Sequence, residues 1–268
     1  MDNALEMVFR SDVGKLRTHN EDAVYINPPL GLAILADGMG GYNAGEVASG
    51  MTTKLLGGML EQTWAAYRQD GNDDAQSVAV EGIAHANNAV YVAAQSQPQY
   101  AGMGTTLVMA LFGGDALTVA HVGDSRLYRL RRGQLALLTH DHSLLQEQLD
   151  RGLLKAEEAR FAQHKNLVTR AIGVDPDVEP EVASYELKAG DLYLLCSDGL
   201  NDMLEDAEIE TTLRALERDL DAAATTLVQM ANDSGGRDNV SLVLVRVGAG
   251  AAKAPGWFGR LLAWFRRT

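Results

Sequence analysis

LAILADGMGG, residues 32–41, is an apolar run that stops at an acid set among glycines. Leu32–Ala36 reads as a buried strand. Asp37 stands at its end, and Gly38 permits a tight turn or a close backbone approach there. The same layout returns along the chain. Asp124 follows the apolar run Leu117–Val122 in HVGDSR, Asp198 follows Leu192–Cys196 in CSDG, and Asp238 precedes Val240–Val247 in GGRDNV. Thr106–Phe112 and Leu127–Leu130 are further strand-like runs. Helices are expected over Gly45–Tyr67, around Asp206–Leu216 and around Asp221–Asn232. Another includes Ala79, Ile83, Ala86, Val90 and Ala93, whose spacings of four and three share one face. Helices arriving in pairs between runs of strands point away from a regular βαβ alternation. They indicate antiparallel sheets with helices packed outside, an α+β arrangement. Strand ends meeting at one sheet edge would gather these acids. Clustered carboxylates repel and raise one another's pKa, which hard divalent cations relieve.

Composition narrows the function classes. The 268 residues carry 23 basic and 36 acidic side chains, a net charge of −13. Lys253, Arg260, Arg266 and Arg267 lie in the last 16 residues, where no acid occurs, so the preceding 252 carry −17. Such a body repels nucleic acid phosphates, and a nucleic acid partner is not expected. The N-terminus lacks a secretion signal, no apolar stretch reaches transmembrane length, and the single cysteine, Cys196, forms no intrachain disulfide; a cytoplasmic location is expected. Cys196 is read as a buried strand residue: a cysteine-dependent phosphatase needs an arginine six residues later, where Asp202 stands. The six histidines show no HExxH or other metal-ligand spacing. An all-carboxylate set selects Mg²⁺ or Mn²⁺ over zinc.

Within SDVGKLRTHNEDAV, Ser11–Val24, the cation Arg17 lies close to the acid pair Glu21–Asp22. Arg17 is either a surface ion-pair partner or a fork that grips two phosphate oxygens. In the second reading Asp22, with Glu21 in support, orients water on the cations. Thr139–Ile172 is polar and weakly periodic, either a mobile insertion over a site or a helical connection.

These pieces, with GMGTTL, VAHVGDSRLYRL, LVTRAIG, LLCSDGL and GGRDNVSLVLV in this order, resemble the type 2C metal-dependent serine/threonine protein phosphatases of the bacterial branch, over roughly Phe9–Val247. The resemblance implies a four-layer αββα sandwich, two antiparallel β-sheets flanked by helix pairs, with two Mn²⁺ or Mg²⁺ ions at one end. By it, Asp37 bridges both ions, the Gly38 carbonyl binds one, and Asp198 and Asp238 hold the second. Asp124 shares a third, weaker ion with Asp198. Asp22 hydrogen-bonds water on the ions, Arg17 binds the substrate phosphate, and Asn239 supports the end of its strand. A water or hydroxide bridging the ions attacks phosphoserine or phosphothreonine of proteins phosphorylated by a Ser/Thr kinase. Met39 stands where the animal branch has a proton-donating histidine, which leaves a metal-bound water or His19, with water favoured. The rival functions are a phosphatase of small phosphorylated metabolites and a non-catalytic pseudophosphatase that binds a partner.

The domain is expected to cover residues 1–247, followed by a Gly/Ala linker at 248–256 and a tail at 257–268. WFGRLLAWFRRT, drawn as a helix, gathers Trp257, Phe258, Leu261, Leu262, Trp264 and Phe265 within about half the wheel and leaves its arginines outside. That composition fits a helix lying on anionic lipid at the inner face of a membrane, with docking on a partner protein or on the body as the alternatives.

Overall fold

Two antiparallel sheets form the centre of the computed structural model, which describes residues 5–41, 44–70, 74–154 and 167–248. In chain order the strands are β1 (Leu5–Asp12), β2 (Asp22–Asn27), β3 (Leu32–Met39), β4 (Gly104–Thr105), β5 (Leu107–Gly113), β6 (Ala116–Val122), β7 (Arg126–Arg131), β8 (Gln134–Leu137), β9 (Glu181–Glu186), β10 (Leu192–Cys196) and β11 (Val240–Val247). The helices are α1 (Ala44–Asp70), α2 (Ala75–Ser96), α3 (Leu144–Asp150), α4 (Asp198–Asn201), α5 (Asp206–Ala215) and α6 (Leu220–Asp233). One sheet runs β1-β11-β10-β7-β8 and the other β2-β3-β5-β6-β9, with the two-residue β4 against the end of β3.

The unbroken apolar runs have a simple cause. Along β3, Leu32 and Ile34 enter the core beneath α1 and α2, while Ala33 and Leu35 enter the core between the sheets. A strand covered on both faces buries every side chain and loses the alternation of a half-exposed one. The other sheet behaves likewise: Leu194 and Leu244 pack toward α5 and α6, and Leu195 and Val243 toward the opposite sheet. The result is helix pair, sheet, sheet, helix pair, as the family resemblance implied.

The helices follow their sequence signals. Val78, Ala79, Ile83, Ala86 and Val90 form the buried face of α2, and the Asp74 carboxylate caps its start by accepting from Ser77 N–H at 3.1 Å. Asn87, also buried, donates to the carbonyls of Asp175 and Pro176 and accepts from Gly173 N–H, so a buried amide fixes the turn after residue 172. In the 139–172 segment the described part contains α3 and two isolated bridges, Ser143 to Val168 and Thr105 to Ile172. Ile172 is thereby tied to β4, and at the other end Thr139 Oγ1 accepts from Leu127 N–H of β7.

Candidate metal centre

The ends of β2, β3, β6, β10 and β11 meet at one end of the sandwich, and each brings an acid. Asp22 and Asp37 lie directly opposite each other in the β2–β3 pair. Like charges so placed are destabilising. Asp198 begins α4 immediately past β10, Asp124 follows β6, and Asp238 stands just before β11. A cavity of about 280 Å³ is lined by Asp37, Asp124, Asp198 and Asp238, together with Arg17 and Glu21. Gly38 and Met39 line it too, and Asp22, opposite Asp37, is near enough for its charge to act on the Asp37 carboxyl. The acids singled out from sequence thus converge on one place.

Backbone packing explains the residue types. A Cβ on Gly199 would collide with the Asn239 carbonyl oxygen, and one on Gly38 with backbone oxygens of Gly45 and Glu21. Glycine after Asp37 and after Asp198 is what lets separate strand ends approach so closely. Thr105 and Thr106 clamp the same point. Thr106 Oγ1 accepts from Asp37 N–H at 3.0 Å, and Thr105 Oγ1 donates to the Asp37 carbonyl at 2.8 Å.

Asn239 joins the two ends of the chain. Its side-chain oxygen accepts from Glu21 N–H at 2.8 Å, and its amide donates to the carbonyls of Val13 and His19, each at 2.9 Å. Every strong polar group of this buried side chain is used. Asn239→Ala leaves three backbone groups without partners and is expected to cost about 2–4 kcal/mol of stability. Urea unfolding checks the value, and a change below about 0.5 kcal/mol would deny Asn239 this role.

The electrostatics are those of a cluster short of positive charge. Burial, then the charges of Asp22, Asp198, Asp124 and Asp238, hold the Asp37 carboxyl well above its usual range. Asp198 is raised in the same way, by burial and then by Asp124, Asp202 and Asp238. Burial pushes Asp22 to about 6, against the hydrogen bonds it accepts. It pushes Asp124 to about 7, with Asp141 adding to the shift. One Asp22 oxygen accepts from Ser197 Oγ at 2.9 Å, whereas Oδ1 is buried with no hydrogen-bond partner among the described residues. An all-oxygen set of crowded carboxylates with an orphaned oxygen fits hard divalent cations. Asp37, Asp198 and Asp238 are the candidate ligands, with Asp124 beside them.

Arg17 donates to Asp238 Oδ2 at 2.7 Å, and its side chain is 49% exposed. It therefore reaches both a candidate ligand and the mouth of the cavity. Glu21 is raised by burial, with Arg17 opposing. His19 is exposed and is not among the cavity-lining residues, though its charge acts on Glu21. Cys196 is buried in β10 and its thiol is pushed up to about 12, which agrees with its reading as an inert strand residue.

Sequence reasoning did not single out the groups that hold these acids. Ser197 and Asp202 neighbour Asp198, and their motif contained the only available hint. His142 is buried, accepts from Gly123 N–H at 3.2 Å through Nδ1, and donates its own N–H to the Gly123 carbonyl at 3.0 Å, fixing the turn that carries Asp124. His142 stacks on His121 at 4.8 Å and groups with Glu181 in a second cluster of possible ligand atoms. Burial and the neighbouring His121 push His142 down to about 4, so it is neutral near pH 7. Its Nε2 lies 3.4 Å from the Arg170 guanidinium and 3.6 Å from the Glu181 carboxylate. His121 Nε2 faces the His140 carbonyl at 2.8 Å, the satisfied core histidine expected from its strand. Of the two, His142 is the one that holds the turn before Asp124.

Known proteins resemble this chain along most of its length. Residues 16–244 match the family model described as protein phosphatase 2C. The serine/threonine phosphatase stp of Listeria innocua is 38% identical over 240 residues, 88% of this chain and 94% of that protein. The catalytic domain of the serine/threonine protein phosphatase PstP, solved in complex with two manganese ions, is 37% identical with a TM-score of 0.81, covering 91% of this chain and 98% of that one. The S. agalactiae serine/threonine phosphatase gives 38% and 0.82, over 91% and 99%. With the acids gathered on the end of this sandwich and a match running through nearly all of it, the chain belongs to the protein phosphatase 2C family.

Proposed function

We propose that the chain hydrolyses phosphoserine and phosphothreonine on proteins, with two Mn²⁺ or Mg²⁺ ions held by Asp37, the Gly38 carbonyl, Asp198 and Asp238. The observation that carries this reading is the convergence of Asp22, Asp37, Asp124, Asp198 and Asp238 at one cavity that Arg17 also lines. When bound, such ions supply Lewis-acid charge and an activated water near neutral pH.

The residues divide the remaining work. Arg17 swings between Asp238 and the open mouth, where its fork takes two oxygens of the incoming phosphoryl group and holds phosphorus in line. Asp22, buried and steadied by Ser197, accepts a hydrogen bond from the attacking water and keeps it oriented. Asp124 contributes with Asp198 to a third, weaker cation site. Glu21 and Asn239 hold the first motif over the cavity. Met39 donates no proton, so the leaving serine or threonine oxygen takes its proton from water.

Retention of every candidate ligand disfavours a pseudophosphatase. The test of substrate class is turnover by the Mn²⁺-loaded chain on a phosphothreonine peptide, free phosphoserine and a sugar phosphate. The peptide is expected to give the highest kcat/KM, by about 10²-fold or more, because remote contacts of a larger substrate help to position the reacting group. Equal or better turnover of the small esters would assign it to metabolites.

The domain limits are proposed as 1–247, with 248–256 as linker and 257–268 as tail; residues 249–268 lie outside the described structure. Among the described residues no helix is long and apolar enough to cross a membrane. The proposal places the catalytic body in the cytoplasm, with the Trp/Phe/Leu face and arginines of the tail on anionic lipid at the inner surface. Co-sedimentation checks it. The full chain is expected to bind anionic vesicles in a salt-sensitive way, and a chain ending at Val247 to bind several-fold less, with peptide turnover alike in both. Equal binding by the two proteins, or none by either, removes the lipid role of the tail.

A further inference from the structure

The end of β7 remote from the acids carries the opposite charge. Asp124 precedes β7, and Arg129 lies five residues further on, about 17 Å along an extended chain. There a cavity of about 620 Å³ is lined by Arg129, Arg131, Arg132, Gln134, Lys188 and Glu210, among others. Four cations and one acid around one cavity are unusual in a chain of net charge −13.

Two of those cations are already compensated. Arg131 makes a two-pronged pair with buried Asp191, at 2.7 and 2.6 Å, and Lys188 lies 3.0 Å from Glu186. The acids nearby are engaged as well. Asp191 also accepts from Lys188 N–H and Tyr193 O–H, while Glu210 accepts from Leu135 N–H and pairs with Arg214. Arg129 and Arg132 have no ion pair or side-chain hydrogen bond among the described residues. Arg129 Nε is moreover fully buried without a partner. A buried donor on a permanent cation is costly to leave unmade.

Arg132 adds an independent observation. Arg132 and Gly133 form the two-residue turn between β7 and β8, and Arg132 has φ +54°, the only positive value of a non-glycine residue among those described. Such turns favour Asn, Asp or Gly, and a longer side chain there carries about 1 kcal/mol of strain. A long cation occupies a place that local structure would give to a small residue.

We infer that this cavity is a second oxyanion site, separate from the metal centre, in which Arg129 and Arg132 bind a phosphate-class oxyanion. Planar guanidinium groups with free donors match that geometry, and the compensated Arg131 and Lys188 leave the local field positive. The oxyanion is free phosphate or the phosphodiester of a lipid headgroup. The second source has support from topology, because Val247 pairs with Gly190 and Asp191 at this same end, where the basic residues 249–268 depart.

The test uses the full, Mg²⁺-loaded chain and follows the Arg129 Nε–H resonance by ¹⁵N-edited NMR. Inorganic phosphate is expected to shift it saturably, and equally in Arg17→Ala, which separates this site from the metal centre. Arg132→Gly relieves the turn and folds at least as well, yet should weaken the response at least tenfold, the worth of one charge-assisted hydrogen bond. Vesicles of phosphatidylglycerol form the second arm. A response to them that phosphate alone does not produce assigns the headgroup as source, and a response to phosphate assigns the free ion. No change at Arg129 with either probe, or an undiminished response in Arg132→Gly, overturns the inference.

Discussion

Asp198→Asn is expected to remove turnover on a phosphothreonine peptide by about 10³-fold or more while the fold persists. The substitution keeps the shape of the side chain and removes one charge from a group that burial and its acidic neighbours already hold well above the carboxylate range. An amide is a poor ligand for a hard dication, and a cation correctly held contributes several kcal/mol to the barrier, where each 1.36 kcal/mol is tenfold in rate. Losing the charge also relieves repulsion, so the metal-free variant should be no less stable than the parent. Circular dichroism and urea unfolding check the second half of the prediction, and steady-state kinetics with Mn²⁺ the first. A folded variant with near-parental kcat would remove Asp198 from the metal set.

Chelation is expected to abolish activity completely and Mn²⁺ or Mg²⁺ to restore it, with a pH signature in stability. Asp22 and Asp124 lie near 6 and 7 in the metal-free fold, with Asp37 and Asp198 also raised. Each of these folded-state values exceeds the unfolded one, so the folded chain holds extra protons. Their favourable contribution is complete in acid, below the unfolded values, and is lost as pH rises through the folded ones. The metal-free Tm should therefore fall between about pH 5 and about pH 8. Cations displace those protons, so the Tm gain on adding Mn²⁺ should grow over the same interval. At a hundredfold excess over Kd the gain is about 2.7 kcal/mol, or roughly 5–10 °C for a domain of this size. Calorimetry with and without chelator decides it. A metal-induced gain that shrinks as pH rises would contradict the carboxylate set.

The sequence made the interior legible and the periphery obscure. The six apolar runs expected as strands became β3, β5, β6, β7, β10 and β11, the central strands of both sheets. The strands that went unread, apart from the two-residue β4, are β1, β2, β8 and β9, the four edges. An edge strand is half exposed and needs no continuous apolar run: β9 reads EVASYE, with glutamate at each end. Its pairing is specified by its neighbour more than by its own composition. The site divides similarly. Asp37, Asp124, Asp198 and Asp238 were legible because each interrupts an apolar run. The partners that hold Asp37, Asp22 and the turn before Asp124, namely Thr105, Thr106, Ser197 and His142, are small or neutral residues whose roles exist only through contacts distant in sequence. Arg17 was legible as a cation near acids, but its pairing with Asp238 depends on bringing together positions 221 residues apart.

The pairing of β1 with β11, Leu5 against Val247 through Asp12 against Val240, governs when this molecule becomes competent. Among the described strands β1 is made before all the others and β11 after them, so β1 must wait for its partner with that edge open. Asn239, which anchors the loop around Val13 and His19, arrives equally late. A nascent or prematurely terminated chain that stops before Asp238 therefore lacks a carboxylate, an anchor and a sheet neighbour at once. Such a chain would bind the remaining acids' cations poorly and leave phosphoproteins untouched. Competence is thus gained late, once β11 and Asn239 are in place.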